Sequence, residues 1–459
     1  MTAHRPLAGL KPRHRRAPAS PCWGHGQAQQ AFAVAVGLFR DGRADEALDA
    51  CNQVLRIDAD HVGAHHLSAS IHHGAGRSDQ ALVHLEHAVM LAPEAAALHN
   101  DLGVVARAVG DAARAAHAFA QATGLDPTLA EAHNNLGTVH HARGEPDKAA
   151  QAFAAAIHHR PDYINARYNL GAALQAARHP EAALVAFQDL LTLAPDHIAG
   201  RFELATVLVA LGREAEASTA FERVLASDPA DPFGARARLA ALGRGPTPSR
   251  TSLPQLLRTY RGKADTWDRL SGYLAARLVA TTAAALPRRA KPPEVLDIGC
   301  GTGLVAEALS MDRARLVGVD LSPEMLAHAR AKGLYDALYE ADLETFMTGR
   351  PDAFDLVIGA AVLIHFGDLG PVLCAVAGCL RPGGRAVFTL LDHDAVNPLS
   401  HGVARHPQLL GGGCFAHGTS YLTRTVSAAG LMLVELRRAT HEGNAQEAIP
   451  GLVVTIAKP

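Results

Sequence analysis

Between positions 297 and 342, three glycines and three carboxylates have the types and spacing that binding a nucleoside would need. Val295-Leu-Asp-Ile-Gly-Cys-Gly-Thr-Gly303 runs an apolar, strand-like stretch into a loop with glycines at Gly299, Gly301 and Gly303. Glycine tolerates the left-handed backbone of a tight turn and lets a ligand touch bare main chain. A helix following the loop would add free N–H groups and a partial positive charge. Dinucleotide enzymes also use glycine-rich loops. Here, however, the spacing is GxGxG, with Leu304 where the third dinucleotide glycine would stand, and no Lys or Arg in the loop could neutralise a pyrophosphate. Asp297, just before the loop, suits a cationic amino-acid moiety instead. Asp320, in Val317-Gly-Val-Asp, ends a second apolar run, where one carboxylate can accept both hydroxyls of a ribose. Asp342, in Ala341-Asp-Leu-Glu, ends a third; it can accept from an adenine amino group while the Leu343 amide donates to the ring. All three acids would lie at the C-terminal ends of strands, the ligand-binding edge of an open α/β sheet.

The elements that must position these groups follow from the surrounding pattern. From about residue 253, short apolar runs alternate with helical segments, which reads as α/β. Strands are expected at Glu294–Asp297, Leu316–Asp320, Ala337–Glu340, Asp355–Gly359, Arg385–Leu391, Met432–Leu436 and Leu452–Ile456. Helices are expected at Val305–Ser310, Glu324–Ala331 and Leu369–Leu380, with a further one capped by Thr419 or Ser420 and running to Ala429. Leu380-Arg-Pro-Gly-Gly384 reads as a turn before the fifth strand. His365, just after the fourth strand, is the best-placed general base, and closure of the pocket is its alternative role. His417 and His393 are weaker candidates for such chemistry.

The ordered set VLDIGCGTG, GVD, AD, FDLV and LRPGG resembles the class I S-adenosylmethionine-dependent methyltransferases over about 255–459. That resemblance implies a Rossmann-like sheet of seven strands whose last strand is antiparallel. It implies S-adenosyl-L-methionine as cofactor, held by Asp297, Gly299, Cys300, Gly301, Gly303, Asp320, Leu321, Asp342, Leu343 and Ala360. Ala264-Asp-Thr-Trp-Asp268 resembles the segment that lids the cofactor, which makes Tyr260 and Trp267 lid candidates; Lys263 stands where relatives usually carry tyrosine. Gly413-Cys-Phe-Ala-His417 and Ile449-Pro-Gly-Leu-Val-Val454 resemble the C-terminal pattern of bacterial predicted methyltransferases with tetratricopeptide repeats, with Cys414 replacing a common arginine. Transfer from a sulfonium is an in-line displacement, so positioning supplies most of the catalysis and a base is needed only for a protonated acceptor. Oxygen, nitrogen and carbon acceptors all fit these motifs, whether on a small molecule or a protein.

The first half repeats itself. Pro93, Pro127, Pro161, Pro195 and Pro229 are 34 apart, as are Ala47, Ala81, Ala115, Ala149, Ala183 and Ala217. Phe119, Phe153, Phe187 and Phe221 keep this step, as do Gly103, Gly137 and Gly171. Period and pattern resemble the tetratricopeptide repeat, an α-solenoid of helix pairs. The small residue lets the two helices approach, the alanine marks their crossing, the phenylalanine fills the space beside it, and the proline ends the second helix. The expected organisation is a disordered basic tail over 1–27, six repeats over 28–231, a capping helix and linker over 232–252, and the methyltransferase domain over 253–459. The linker reading rests on the Gly, Pro and Ser content of 243–252. Asp101, Asn135, Asn169 and Glu203 fall at equivalent positions, with Asn100 and Asn134 beside them. They are similar to the asparagine ladder that holds peptide backbone in tetratricopeptide-containing O-GlcNAc transferases, which implies a protein or peptide partner in the groove.

Composition narrows the remaining classes. A net charge of −2 gives no general attraction to nucleic acid or anionic membrane. No apolar run reaches the roughly 18 residues of a membrane span. The basic stretch Arg5, Lys11, Arg13, Arg15 and Arg16 has no apolar core behind it, so a secretory signal is not expected. Cys22, Cys51, Cys300, Cys374, Cys379 and Cys414 form no CxxC pair, which suits reduced thiols in a cytoplasm. The 26 histidines include the pairs His65-His66, His72-His73, His140-His141 and His158-His159, for which no carboxylate is expected at ligand spacing, so no metal is expected. His393, His401, His406 and His417 fall in a stretch read as a substrate loop. The rival reading is a solenoid scaffold whose methyltransferase-like domain binds cofactor without catalysis.

Overall fold

The computed structural model describes residues 23–269, 273–287, 290–313, 315–396, 408–409, 414–443 and 448–459. Most of the basic tail, Cys22, His401, His406 and Gly413 lie outside the described residues. The chain divides into two compact units between Pro195 and Asp196, within the array expected from the repeats.

The first unit consists of helix pairs. Trp23–Arg40 pairs with Ala44–Ile57, Val62–Gly74 with Ser78–Leu91, and Ala96–Ala108 with Ala112–Leu125. Ala130–Ala142 then pairs with Pro146–His159, and Ile164–Ala176 with Pro180–Leu193. The crossing alanines Ala47, Ala81, Ala115, Ala149 and Ala183 are fully buried. The period-34 glycine has a steric cause: a Cβ at Gly137 would sit 2.7 Å from the Phe153 ring, and one at Gly171 would sit 2.6 Å from Phe187. From the second pair onward the second helix stops short of its proline, as at Leu91 before Pro93 and His159 before Pro161, whereas the first pair has Ala59 at that position.

The asparagines bond to one another rather than standing free. Asn135 Nδ2 donates to Asn100 Oδ1 at 3.0 Å, and Asn169 Nδ2 to Asn134 Oδ1 at 3.1 Å, each bond joining successive repeats. Asn100 Nδ2 donates to Asp101, whose other oxygen meets His66 Nε2 at 2.6 Å. His140 Nδ1 likewise pairs with Glu145 at 2.7 Å. This corrects the expectation that no carboxylate comes near the paired histidines. Among the described residues, no group of three or more His, Cys, Asp or Glu side chains is placed to hold a metal ion.

The second unit opens with the helices Ile198–Ala210, Glu214–Ser227 and Ala235–Ala241, continues through helix Leu253–Arg261, and then forms a mixed sheet. Its strands are β1 (Glu294–Ile298), β2 (Arg315–Asp320), β3 (Ala337–Glu340), β4 (Phe354–Gly359), β5 (Leu380–Asp392), β6 (Gln408–Leu409), β7 (Phe415–His417), β8 (Met432–Gly443) and β9 (Ala448–Ala457). The first five run in parallel in the order β3-β2-β1-β4-β5. The last strand, β9, is antiparallel to β5 and to β8. The described sheet has nine strands rather than seven, because β6 and β7 add a short antiparallel pair beside the end of β5. Leu380-Arg-Pro-Gly-Gly384 opens β5 itself, with a register shift against β4 and Gly383 at φ 73°. Gly418, not Thr419 or Ser420, takes the cap position of helix Thr419–Ala428; the Thr419 hydroxyl donates to Asp394 instead. The alternation of burial along β1, β2 and β4 is nearly absent, as expected for strands covered on both faces.

The turn within each pair gives a testable contrast. Gly42, Gly76, Gly110, Gly144 and Gly212 hold φ between 71° and 82°, and the equivalent residue of the fifth pair is Arg178 at φ 61°. A side chain in the left-handed region costs about 1–2 kcal/mol. Arg178→Gly should therefore raise stability by up to about 1 kcal/mol, part of the gain being lost to unfolded-chain entropy. A thermal melt with an unchanged or lowered midpoint would contradict this account.

Candidate active site

The site begins where β1 ends. Gly299, Gly301 and Gly303 all have positive φ, at 62°, 54° and 90°. A Cβ at Gly299 would lie 2.5 Å from Val362, whereas one at Gly301 would meet nothing within 4 Å. The loop is thus packed on one side and presents bare backbone to open space on the other. Asp320, at the end of β2, holds it there: its carboxylate accepts from Gly301 N at 2.8 Å and from Ser322 N at 2.9 Å. Burial pushes the Asp320 carboxyl up, and these amides oppose the shift. Asp297 is fully buried beneath the loop and accepts from the Tyr335 hydroxyl at 2.7 Å, while its Oδ1 has no hydrogen-bond partner. Burial raises its pKa to about 7.

Asp342 closes the opposite end. Its Oδ2 accepts from Arg250 Nη2 at 2.7 Å and its Oδ1 from Thr345 N at 3.2 Å. Burial works to raise the Asp342 carboxyl, but the Arg250 and Thr345 bonds outweigh it and hold the group low. Arg250 also lies 5.1 Å over the Phe366 ring. It belongs to the stretch read as a linker, which is instead bonded down: Ser249 O accepts from Gly367 N and Asp368 N, and Thr251 N donates to His365 O at 2.8 Å.

His365 is the last residue of a 3-10 turn over Leu363–His365 after β4. Its Nε2 lies 2.6 Å from the Tyr260 hydroxyl, and its Nδ1 is buried without a partner. Burial lowers the imidazole pKa to about 4, helped by the Lys263 and Arg250 cations. Burial pushes the Tyr260 hydroxyl pKa upward, so it keeps its proton, and the tautomer of His365 sets which of the two donates. Trp267 packs on both Tyr260 and Tyr273 at 5.5 Å between rings. The short helix Ala264–Trp267 that carries it is tied to the glycine loop by Asp268, which accepts from Thr302 at 2.5 Å and pairs with Lys332.

These groups line one half-open pocket of about 930 Å³, a volume that includes its mouth to solvent. Gly299, Cys300, Gly301, Asp320, Leu321, Asp342, Leu343, Ala360, Tyr260, Trp267 and His365 all face it. Asp297 and Gly303 are not part of its lining: the first lies beneath the loop, and the second caps the helix Leu304–Ala308. His417 is buried with Nε2 on Phe366 O, and His393 is buried beside Asp394. Neither lines the pocket.

The family described as Methyltransferase domain matches residues 296–388, from β1 into β5. Families described as Tetratricopeptide repeat match 38–102, 100–164 and 173–241. The chain joins tetratricopeptide repeats to a methyltransferase domain. Its relatives include the Ubiquinone biosynthesis O-methyltransferase of Sodalis glossinidius, 33% identical over 22% of this chain and 42% of that protein. The chain therefore spans about two-fifths of the length of such curated relatives. Among solved structures, MamA protein is 24% identical over 37% of this chain and 92% of that one, at TM-score 0.35. Burkholderia thailandensis 1,6-didemethyltoxoflavin-N1-methyltransferase with bound 1,6-didemethyltoxoflavin and S-adenosylhomocysteine is 21% identical over 45% and 86%, at TM-score 0.36.

Three pocket residues of the methyltransferase domain leave no usable signal in the sequence. Arg250 is hidden in a stretch whose glycine, proline and serine content signals a linker. Tyr273 and Phe366 lie near recognisable positions, but single aromatics carry no periodic signal. The proton on Asp297 is open to measurement. Its folded pKa of about 7 exceeds the ordinary value of 3.8, so the folded chain binds that proton more tightly than the unfolded chain. Stability from this group is complete below about pH 4 and is lost as pH climbs toward about 7. Asp297→Asn keeps an acceptor for Tyr335 and removes the titration. Denaturant melts between about pH 4.5 and 8 should show the variant gaining on wild type by on the order of 1–4 kcal/mol as pH rises. Parallel curves would mean that Asp297 does not titrate in that window.

Proposed function

We propose that the methyltransferase domain transfers a methyl group from S-adenosylmethionine to an acceptor, and that the repeats recruit a protein partner or present the substrate. The observation that carries this is the convergence of the bare Gly301 backbone, Asp320 and Asp342 on one pocket. In this reading the Asp320 carboxylate takes the ribose hydroxyls. Asp342 and the Leu343 amide take the adenine edge, and Leu321 and Ala360 supply apolar walls. Asp297, one oxygen unpaired beneath the loop, biases the site toward a cationic amino-acid end. Bound S-adenosylmethionine supplies a methyl group on a sulfonium, which is electrophilic without further activation. The residues then have to exclude water and align an acceptor. Tyr260, Trp267 and Phe366 are suited to the first task. His365 serves better as a latch for Tyr260 than as a base, because its Nε2 is engaged and its pKa is low. The family match ends at Phe388, before β7 and β8, so the acceptor is not carried over from the relatives.

The test is production of S-adenosylhomocysteine by the full chain in a native extract. Asp320→Ala removes a charged acceptor worth about 1.5–3 kcal/mol, and should weaken cofactor affinity roughly ten- to a hundredfold in a calorimetric titration. Unaltered affinity would remove Asp320 from the site, and tight binding without turnover would leave a scaffold that only holds the cofactor.

The asparagine positions support a peptide-binding surface on the repeats. Each amide has two N–H donors and two lone pairs, so Asn135 and Asn169 keep capacity for a peptide backbone beyond their mutual bonds. Replacing both with alanine should cost about 1–3 kcal/mol of partner affinity and also lower the melting midpoint, since bonds between repeats are lost too. Cofactor affinity should not change. A pull-down that keeps every wild-type partner would leave these amides with repeat-to-repeat bonding alone.

A further inference from the structure

The helix Leu253–Arg261 has two working faces. Leu256, Leu257 and Tyr260 line the pocket. Gln255 and Arg258, on the opposite side of the helical turn, meet the end of the repeats. Arg258 Nε donates to Pro232 O at 2.9 Å, and its guanidinium lies 4.2 Å over the Phe233 ring. Phe233 packs on Phe202 at 5.7 Å between centroids, and Phe202 on Phe221 at 5.4 Å, so an aromatic file runs from the core of the sixth helix pair to the lid. The N-terminus of the lid helix is fastened to the same turn. Ser252 Oγ donates to Asp231 O at 2.7 Å and caps Gln255 N. Asp231 is buried and caps the helix Ala235–Ala241 through Ala235 N at 2.6 Å. A Cβ at Gly234 would strike the Gln255 side chain at 2.6 Å, so the lid helix lies directly against this turn.

Glu203 sharpens the picture. At period 34 it continues the series Asp101, Asn135 and Asn169. Burial pushes its carboxyl up, opposed by the Arg258 and Arg238 cations. Its chain neighbour Phe202 packs on Phe233, over which Arg258 lies, so the position that carries asparagine in the fourth and fifth pairs adjoins the contact made by the lid helix.

We propose that the lid helix Leu253–Arg261 occupies the partner-binding position of the sixth repeat, so that Phe233 and Arg258 position the cofactor site from the repeat side. The inference rests on the pocket being the cofactor site. Neither Phe233 nor Arg258 lines the pocket, so they act through Leu256, Leu257 and Tyr260. A peptide that displaced the lid helix from the sixth repeat would loosen the Tyr260–His365 contact and open the pocket. Methyl transfer and partner binding would then be linked through one short helix.

The experiment uses the full chain. It has two tryptophans, Trp23 and Trp267, so Trp23→Phe leaves Trp267, packed on Tyr260, as the single reporter of lid position. In that background, Arg258→Ala removes a cation–π contact and a hydrogen bond, and should weaken S-adenosylmethionine binding roughly tenfold. It should also shift Trp267 emission and make it more accessible to acrylamide before any cofactor is added. Phe233→Ala should do the same, and circular dichroism should show unchanged helix content in the Arg258 variant. Trp267 emission and cofactor affinity both equal to wild type in the Arg258→Ala chain would overturn the coupling. If the wild-type chain binds no cofactor, the functional reading falls, and the Trp267 emission still decides whether the repeat holds the lid.

Discussion

Asp320 accepts one hydrogen bond from the loop after β1 and another from the loop after β2, and the pocket depends on that pair. The three left-handed glycines of this loop have no side chains to hold its shape, and Thr302 ties down only its end through Asp268. Without an acceptor at the neighbouring strand end, Gly301 N would point at solvent and the loop would sample many conformations. Placing a carboxylate there stabilises one of them, at the expense of burying a charge, a cost that the two amides reduce without cancelling. The same group then remains available on its pocket side. In the proposed reading loop geometry and ligand recognition share a residue, so an alteration for one purpose is felt in the other.

The repeats depend on a comparable economy of space. Helix pairs recur because a phenylalanine ring fills the volume left by a glycine on its partner helix. A period fixed by steric fit does not need strong local propensity, and long runs of alanine suffice elsewhere on the buried faces. The polar bonds between asparagines of neighbouring pairs add a second link from repeat to repeat. In a solenoid, where each unit touches only its neighbours, such links carry cooperativity from one end toward the other.

Much of this is legible in the chain. β1 to β4 match their expected bounds to within one residue at each end; β1, β2 and β4 are legible because buried parallel strands are continuous apolar runs that stop at Gly or Asp, whereas β3 is a half-exposed edge strand of four residues. β8 is expected as five residues and is twelve, since Glu435, Arg437, Arg438 and Thr440 interrupt its apolar pattern on a face that is largely exposed. β6 and β7 are too short to leave a pattern, and owe their existence to the strand end beside them. In the site, the residues named for the cofactor and the lid line the pocket except Asp297, which lies beneath the glycine loop, and Gly303, which caps the following helix; His393 and His417 lie outside it. The partner of Arg250 is a different matter. Nothing in Gly243-Arg-Gly-Pro-Thr-Pro-Ser-Arg-Thr-Ser252 indicates that its second arginine meets an aspartate 92 positions on. Spacing reveals local periodicity, whereas tertiary ion pairs leave no mark on either segment.

The outer strand of the sheet has a consequence beyond the pocket. Along its length β8 pairs with β9, near its C-terminal end Glu442 bridges Tyr273 and His441 O accepts from Leu274 N, and at its N-terminal end Met432 and Val434 are exposed. A long, exposed edge strand is a template on which another chain can add a strand. Two register shifts, at Leu433/Glu435 and Thr440/Glu442, bend it out of plane. Arg437 and Arg438 set like charges on any second copy that tried to pair antiparallel across the middle of the strand. The sheet is therefore built to stop growing at β8, and two substitutions that neutralised those arginines would turn a terminus into an adhesive.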